Sequence, residues 1–554
     1  MADRVAADAG HPSTDVIVRE FRQILLYPLQ LVPMAGRAQT AANWERLMAH
    51  DCAWHDAADE PAGADPSFAE RHYSEFVAFM PDVQRFLYGE GRGLAGAGGY
   101  GASPIRVFRR NDVVRAAVTL RRGEPALMFE VARVELYFFY DIDLAILAVE
   151  VVGKDMTLAQ AQDTLFRLGR AYPASWDRHG GGSHCCHGVQ LLDEAGEVLV
   201  ASDYEHKQRY LDSVAEHRAP YVAAHWSHLL DPLAPQHVGA TDAILYRQVE
   251  QQHMPFLAFL AVDDPTRIGR DDWVRLGLAA PPGPPGSSPL GSGFLTDFEA
   301  RYCYDRFWDP SRVHDRTTTR MICSGHAFVM VGDANDPSFA NGETGILAKF
   351  RHQYFLLALI ANFHRATLLA FRDRLVSAMS VLRDYHAETV KRFKREIRLT
   401  HENFLRFTHR YWFHDVSNQG PARDLFERWV AELGTDRLFA EVRDEVNDMI
   451  DYLDSDGLRR QANSVVRLTV VTFFGLIGTV ATGFLGMNLI DLTRASLPHK
   501  LFYFIIVLVP VAALTFYTAA KSQRLSEFLE AVSDARLTAR EKLRALARVW
   551  KRKG

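Results

Sequence analysis

The stretch RLTVVTFFGLIGTVATGFLGMN, residues 467–488, decides the architecture of this 554-residue chain. Within it, residues 468–485 are eighteen positions without a charge, close to the ~20 apolar residues with which a helix crosses a bilayer. A second uncharged run, LFYFIIVLVPVAALTFYTAA, covers residues 501–520. The two runs predict a first transmembrane helix over 463–488 and a second over 501–520, joined by a short external loop at 489–500.

Positive charge flanks the two runs on the same side. Arg459, Arg460 and Arg467 precede the first run, and the basic tail 521–554 follows the second. Because cytoplasmic flanks carry an excess of Lys and Arg, we expect a multi-pass protein of the cytoplasmic (inner) membrane with both termini cytoplasmic. The N-terminus has no apolar signal-peptide core, so insertion into the lipid bilayer is expected to use these internal segments.

The composition of the remaining chain is that of a water-soluble protein, with 24% charged residues. A net charge of −5 argues against a polyanionic partner, so we expect no nucleic acid to bind. The five cysteines are an odd number and are scattered apart from one vicinal pair, which is not the pattern of a disulfide framework. A reducing compartment fits the bulk of the chain.

Residues 1–280 alternate between strand-like and helix-like stretches and predict a cytosolic α/β domain. The segments VARVELYFFY (131–140) and LAILAVEVV (144–152) predict a β-hairpin, and GVQLLDEAGEVLVAS (188–202) predicts a second. The Pro-, Gly- and Ser-rich segment PPGPPGSSPLGSG, residues 281–293, predicts either an interdomain tether or a long surface loop.

Residues 294–462 are predicted to complete the cytosolic domain and to form long stalk helices. From about residue 343 the pattern is almost continuously helical and is broken chiefly around Gly420 and Pro421. Two helices of such length predict an antiparallel stalk.

The apolar run FLLALIANFHRATLLAF, residues 355–371, is predicted to be a buried stalk helix and not a third span. Asn362, His364 and Arg365 lie at its centre, and a charged residue there costs about 2.5–3.5 kcal/mol on insertion into a bilayer.

The chain resembles the CorA family of divalent-cation transporters in three features. These are two C-terminal spans, the tripeptide Gly486-Met487-Asn488 at the end of the first span, and a large cytosolic N-terminal region. The local similarity covers 467–488, and the architectural similarity covers roughly residues 300–554. The resemblance implies a homopentamer whose first spans line a central pore, with five copies of Asn488 in a ring at the outer mouth. A channel has no reaction to catalyse, so we expect neither an enzyme nor a cofactor other than the divalent cation itself.

The chemistry of Mg²⁺ agrees with such a ring. Mg²⁺ holds its water tightly, so a site that captures and releases it should contact the hydrated ion through neutral oxygen acceptors, which Asn488 supplies. Gly486 would let the backbone approach closely beside the ring. The alternative is that Gly486 and Asn488 only form a helix C-cap.

The residues on one face of the first predicted transmembrane helix, N-terminal to the tripeptide, are predicted to line the pore. Residues spaced by three or four positions lie on one face of a helix, and here they are small, hydroxyl-bearing or aliphatic. The valine and leucines would form apolar constrictions, and the threonines would form hydrated positions between them. The alternative is a close helix–helix interface built from small residues. The stripe consists of Val465, Leu468, Thr472, Leu476, Thr479 and Gly483.

Acidic residues precede the first span in RDEVNDMIDYLDSDG, residues 443–457. Members of the CorA family are inhibited by the ion they carry through carboxylates between cytosolic subunits, which makes these acids candidates for a regulatory metal site. The alternative is a solvated acidic helix face. The candidates are Asp448, Asp451, Asp454 and Asp456.

The transported ion is predicted to be Mg²⁺ first, with Co²⁺ or Ni²⁺ as further substrates. The external loop has one acid, Asp491, beside Arg494, His499 and Lys500, and this weakly acidic loop favours the alternative of a ZntB-like transporter for Zn²⁺. A second alternative is a membrane-anchored cytosolic sensor or binding module with a vestigial pore.

The loop at 179–187, which carries three histidines and two cysteines, lacks the spacing of structural zinc sites and is predicted to be an ordinary loop.

Overall fold

The computed structural model describes residues 16–32, 43–50, 52–57, 73–89, 103–139, 142–238, 244–250, 252–283, 290–309, 318–381, 387–486 and 496–520. The chain divides into two compact units, Met1–Val446 and Asn447–Gly554.

The first unit is built on one large sheet. Among the described residues this sheet has fourteen strands. They are β1 (Ile17–Leu31), β2 (His55–Asp56), β3 (Ile105–Arg109), β4 (Arg115–Thr119), β5 (Leu127–Phe139), β6 (Leu144–Thr157), β7 (Gly188–Leu192), β8 (Val198–Ala201), β9 (Leu233–Pro235), β10 (Ile244–Gln248), β11 (Phe256–Val262), β12 (Cys303–Tyr304), β13 (Thr319–Cys323) and β14 (Ala327–Asp333).

Helices cover this sheet and then dominate the C-terminal part of the described chain. They are α1 (Asn43–Ala49), α2 (Pro81–Tyr88), α3 (Leu158–Arg167), α4 (Lys207–His217), α5 (Ala224–Leu230), α6 (Arg270–Gly277), α7 (Ser292–Tyr302), α8 (Pro337–Ala340), α9 (Ile346–Lys349), α10 (Phe355–Val381), α11 (Ala387–Arg410), α12 (Gly420–Leu433), α13 (Thr435–Gly486) and α14 (Leu497–Ala520). A π-helical turn, Phe350–Tyr354, joins α9 to α10.

The long strands β1, β5 and β6 form the centre of the sheet. Its main order is β12-β13-β14-β11-β1-β6-β5-β4-β7-β8. Most pairs are antiparallel, whereas β11 pairs with β14 in parallel. The prediction of a sheet domain of mixed α and β structure followed by long helices is therefore confirmed.

Both predicted hairpins are present. β5 pairs with β6 in antiparallel register, and β7 pairs with β8. The second turn contains Gly196 at a φ of 90°, a backbone conformation that favours glycine. Thr157, at the end of β6, forms a capping box with Gln160 and so starts α3 directly after the strand.

The segment at 281–293 connects two parts of one sheet. β11 precedes it and β14 follows it, yet these strands pair in parallel from Phe256↔Ala327 to Val262↔Asp333. The parts of the chain on either side of this segment therefore belong to one sheet, which does not support a tether between domains; residues 284–289 lie outside the described residues, and Ser292 and Gly293 begin α7. Local composition could not decide this, because the pairing joins residues about seventy positions apart.

Before residue 435 the described residues form shorter helices than the two very long ones predicted, with four helices, α10 to α13, from residue 355 to 486. Residues 382–386, between α10 and α11, lie outside the described residues. Pro421 lies in the first turn of α12, as predicted, but Gly434 adds a further break. Its left-handed φ of 64° ends α12 and lets α13 begin at Thr435.

Helix α10 is a core helix of the first unit. The segment Ile346–Ser380 has the length and hydropathy of a membrane span, but 83% of its apolar window is buried inside the structure. Phe363 stacks on Phe139 of β5 with ring centroids 4.2 Å apart, and Phe355 contacts Tyr137. The helix is buried, as predicted, but it packs on the sheet and does not belong to a stalk.

Candidate functional site

The predicted pore stripe lies on the C-terminal half of α13. All six of its residues are exposed in the single chain, and the large apolar members are among the most exposed. Val465 is 57% exposed, Leu468 69% and Leu476 62%. By contrast, Val470 on another face of the helix is buried. Exposed apolar side chains in such a row indicate a surface that another molecule, a lipid or a second subunit covers.

The exposed apolar face is wider than the predicted stripe. Val471 is also exposed, and a side chain added at Gly475 would meet no atom within 4 Å. Both residues lie on the same helix face as Leu468 and Thr479. The spacing in the sequence could therefore have placed them in the predicted pore stripe.

Threonine hydroxyls on α13 have a fixed orientation. Thr472 Oγ1 donates to the carbonyl of Leu468 at 2.8 Å, and Thr479 Oγ1 donates to the carbonyl of Gly475 at 2.9 Å. Because each hydroxyl proton is used on the helix itself, the oxygen keeps its lone pairs as acceptors. Such oxygens can accept hydrogen bonds from the water shell of a hydrated cation.

The Gly-Met-Asn tripeptide lies at the C-terminal end of α13. Gly486 is the last residue of the helix, and a Cβ there would meet no atom within 4 Å. Met487 and Asn488 lie outside the described residues, so the predicted ring remains a prediction.

Helix α14 is apolar around its whole circumference. Successive residues of a helix point about 100° apart, so six in a row cover every direction. The run 501–506 consists of such residues, and each is between 45% and 60% exposed. A helix that is hydrophobic all round is typical of a protein core or a membrane span. Pro510 lies inside the helix, at a position where a bend is expected.

Among the described residues, the acids predicted to hold a regulatory metal form no metal-binding group within one chain. Asp448, Asp451 and Asp454 are exposed on α13, and Asp456 lies on the same helix. Across the part of the chain that the structure describes, no group of three or more His, Cys, Asp or Glu residues could hold a metal ion. The regulatory metal site therefore remains a prediction.

In the loop at 179–187 the two cysteines are buried in the core, whereas the three histidines are exposed. Cys185 and Cys186 are each 1% exposed. Burial raises the pKa of the Cys185 thiol to about 12, and burial also raises the pKa of Cys186. Protonated buried thiols are poor metal ligands, because the thiolate is the binding form. The two cysteines therefore pack in the core, and the absence of a zinc site in this loop stays a prediction.

Comparison with known proteins gives a similarity to solved structures but none to families or curated sequences. No protein-family model matches the chain, and no curated protein sequence matches it. The chain is similar to the solved structure of the CorA magnesium transporter from Methanocaldococcus jannaschii, with 13% identity over 50% of this chain and 94% of that chain, at a TM-score of 0.19. A similarity at this score carries no weight for function.

Proposed function

We propose that this chain is the subunit of a CorA-like homopentameric channel for divalent cations, with Mg²⁺ as the principal substrate. The observation that carries the proposal is the uncharged C-terminal part of α13, residues 468–485, which exposes a row of small, hydroxyl-bearing and aliphatic residues and precedes Gly486, Met487 and Asn488 in the sequence. A second helix, apolar on every side, follows it. In this proposal α13 lines the pore and α14 faces lipid.

The chemistry of conduction follows from the exposed groups. Thr472 and Thr479 offer acceptor oxygens to a hydrated ion, and Asn488 adds neutral amide oxygens at the outer mouth. Leu468 and Leu476 form apolar constrictions that close the pore when they lose water. The membrane potential drives inward flow, worth about 4.6 kcal/mol per 100 mV for a divalent ion.

The decisive experiment is ion uptake into proteoliposomes that contain the purified chain. Wild type is expected to show saturable, potential-driven Mg²⁺ uptake. Asn488→Ala should remain pentameric and lose that uptake, because the ring loses its amide acceptors. Ser496→Ala, in the same external connection, is the matched control and should conduct like wild type.

Two outcomes separate the alternatives. Uptake by Asn488→Ala equal to that of wild type would refute the pore assignment. Absence of Mg²⁺, Co²⁺, Ni²⁺ and Zn²⁺ flux in wild type would favour the membrane-anchored sensor, whereas Zn²⁺ flux without Mg²⁺ flux would favour the ZntB-like transporter.

A further inference from the structure

Two imidazole rings meet in the first unit, where the β13–β14 turn packs against the segment that leads into β11. Nε2 of His326 lies 3.0 Å from Nδ1 of His253, and the ring centroids are 4.6 Å apart. A hydrogen bond between two ring nitrogens needs an N–H on one ring and a lone pair on the other. The two side chains, the histidine pair, are only partly exposed and therefore depend on each other for this bond.

The turn that carries His326 lies at a junction of segments. The amide of Phe256, the first residue of β11, donates to the carbonyl of His326 at 3.0 Å. Gly325, in the same turn, has a left-handed φ of 80°, and a Cβ added there would lie 2.9 Å from the backbone of Glu432. The turn therefore fits closely against the last turn of α12, directly before α13 begins.

Two guanidinium groups lie beside the histidine pair. They belong to Arg170, just after α3, and to Arg365 of α10. Carboxylates of the adjoining segments are already bound to arginines. Glu250 accepts from Nε of Arg365 at 2.6 Å, and Glu432 pairs with Arg301 at 3.1 Å. A proton added to the histidine pair therefore meets like charge.

This environment keeps the rings uncharged at neutral pH. Burial, together with the charges of Arg170 and Arg365, lowers the pKa of His326 to about 4. Burial, His326 and Arg170 hold the pKa of His253 well below its usual value. A first proton can go to the outer nitrogen of the donor ring and leaves the shared bond intact. A second proton puts an N–H on both facing nitrogens, so no lone pair is left between them.

We propose that the histidine pair is a pH-sensitive switch, which holds the β13–β14 turn in place at neutral pH and releases it when both rings are protonated. The two imidazolium rings then repel each other and the guanidinium groups beside them. Release of the turn removes a contact of the last turn of α12, the helix that leads into α13. The switch itself does not depend on the proposed channel function.

Hydrogen–deuterium exchange of the purified full-length chain tests the switch, with mass spectrometry of a peptide that contains Phe256. A histidine whose pKa is lowered in the closed state takes up its proton more readily in the open state. Opening is therefore favoured as pH falls below the ordinary histidine pKa of 6.5. After correction for intrinsic exchange, protection of the Phe256 amide should fall at least about tenfold from about pH 7 to about pH 5. A peptide covering 144–152 in β6 should keep its protection.

His326→Gln removes the titration but keeps a group that can bond to His253. Its amide can donate to a neutral ring or accept from a protonated one, so the contact survives acidification. Protection of the Phe256 amide in this variant should change less than about twofold over the same pH range. His253→Gln is the second variant and should behave alike. His206→Gln, at an exposed histidine of the first unit, is the matched control and should keep the wild-type fall.

Three results would overturn the switch. They are pH-independent protection of the Phe256 amide in wild type, an equal fall in wild type and both glutamine variants, and an equal loss in the 144–152 peptide. The last would show that acid unfolds the whole sheet. Exchange in the first unit is measured without ion flux, so failure of the switch and failure of the channel proposal are separate outcomes.

Discussion

Glu150 is a fully buried carboxylate on β6, and arginines from three different segments surround it. Arg22 Nη1 lies 3.0 Å from Oε1, Arg351 Nε lies 3.2 Å from Oε1, and Arg133 Nη2 lies 3.3 Å from Oε2. Burial alone would raise the pKa of Glu150, but the guanidinium groups of Arg133, Arg351 and Arg22 outweigh it and hold the pKa below its usual value.

Replacing Glu150 by Gln is expected to lower the free energy of unfolding by about 3–5 kcal/mol, because the arginines lose their buried counter-ion. Urea unfolding followed by tryptophan fluorescence measures the change. The control is Asp155→Asn, which breaks an exposed pair with Arg19 and should cost at most about 1 kcal/mol. Similar losses for the two variants would show that Glu150 contributes no more than a surface charge.

The contribution of Glu150 should depend on pH in one direction. A carboxylate whose pKa is lower in the folded state stabilises the fold above its unfolded pKa, near 4.5, and loses that contribution as pH falls through the folded pKa. The difference in unfolding free energy between wild type and Glu150→Gln should therefore stay constant from about pH 6 to 8 and shrink below about pH 4.5. A difference that grows on acidification would contradict the sign of the shift.

Leu468 and Leu476 are the residues proposed to form the apolar constrictions that close the pore. Leu476→Asn or Leu468→Asn should raise basal Mg²⁺ flux in proteoliposomes, because a polar side chain wets an apolar constriction. Val470→Asn is not a suitable control, since that side chain is buried; Ser496→Ala serves instead. If both leucine variants conduct like wild type, the stripe faces a neighbouring helix.

At the scale of elements, α10 packs on the sheet of the first unit through its aromatic side chains. Phe363 is fully buried, stacks on Phe139 and also contacts Phe86 of α2 and Phe407 of α11. One side chain thus joins four elements.

Phe363→Ala is expected to lower the free energy of unfolding by about 3–5 kcal/mol, because it removes a buried ring and leaves a cavity. Val376→Ala on the same helix, at a side chain 64% exposed, should change it by no more than about 0.5 kcal/mol. Urea unfolding compares the two variants. A loss below about 1 kcal/mol for Phe363→Ala would mean that the site collapses around the alanine.

At the scale of the whole molecule, the acidic residues of α13 lead us to predict that internal Mg²⁺ regulates the channel. In a pentamer, the exposed carboxylates of five chains would repel one another unless cations bind between subunits. Intracellular Mg²⁺ would then hold the subunits together and the pore shut. The combined replacement of the four acids by Asn should yield a channel whose inward flux no longer falls as internal Mg²⁺ rises from micromolar to millimolar. The replaced residues are Asp448, Asp451, Asp454 and Asp456.

A matched variant controls for the change in net charge. It replaces four exposed carboxylates of the first unit by the corresponding amides and should keep normal inhibition by internal Mg²⁺. Unchanged inhibition in the α13 variant would show that its acids form only a solvated helix face. The control residues are Glu194, Glu205, Asp212 and Glu216.

The sequence by itself determined the features that depend on neighbouring residues. Uncharged runs predict two apolar helices, and alternation with turn residues predicts the β5–β6 and β7–β8 hairpins. Local chemistry also singled out the tripeptide that ends at Asn488 and the stripe on α13. The residues that define each of these features lie within a few positions of one another, so one short segment is enough to predict the feature.

Only the tertiary structure decided the features that join distant residues. The parallel pairing of β11 with β14 placed the chain on both sides of 281–293 in one sheet, and the burial of α10 placed a helix of membrane-spanning length in a core. The imidazoles of His253 and His326 meet only because the β13–β14 turn packs beside the segment that leads into β11. Such contacts depend on how segments pack in three dimensions, and no local period in the sequence specifies which of them meet.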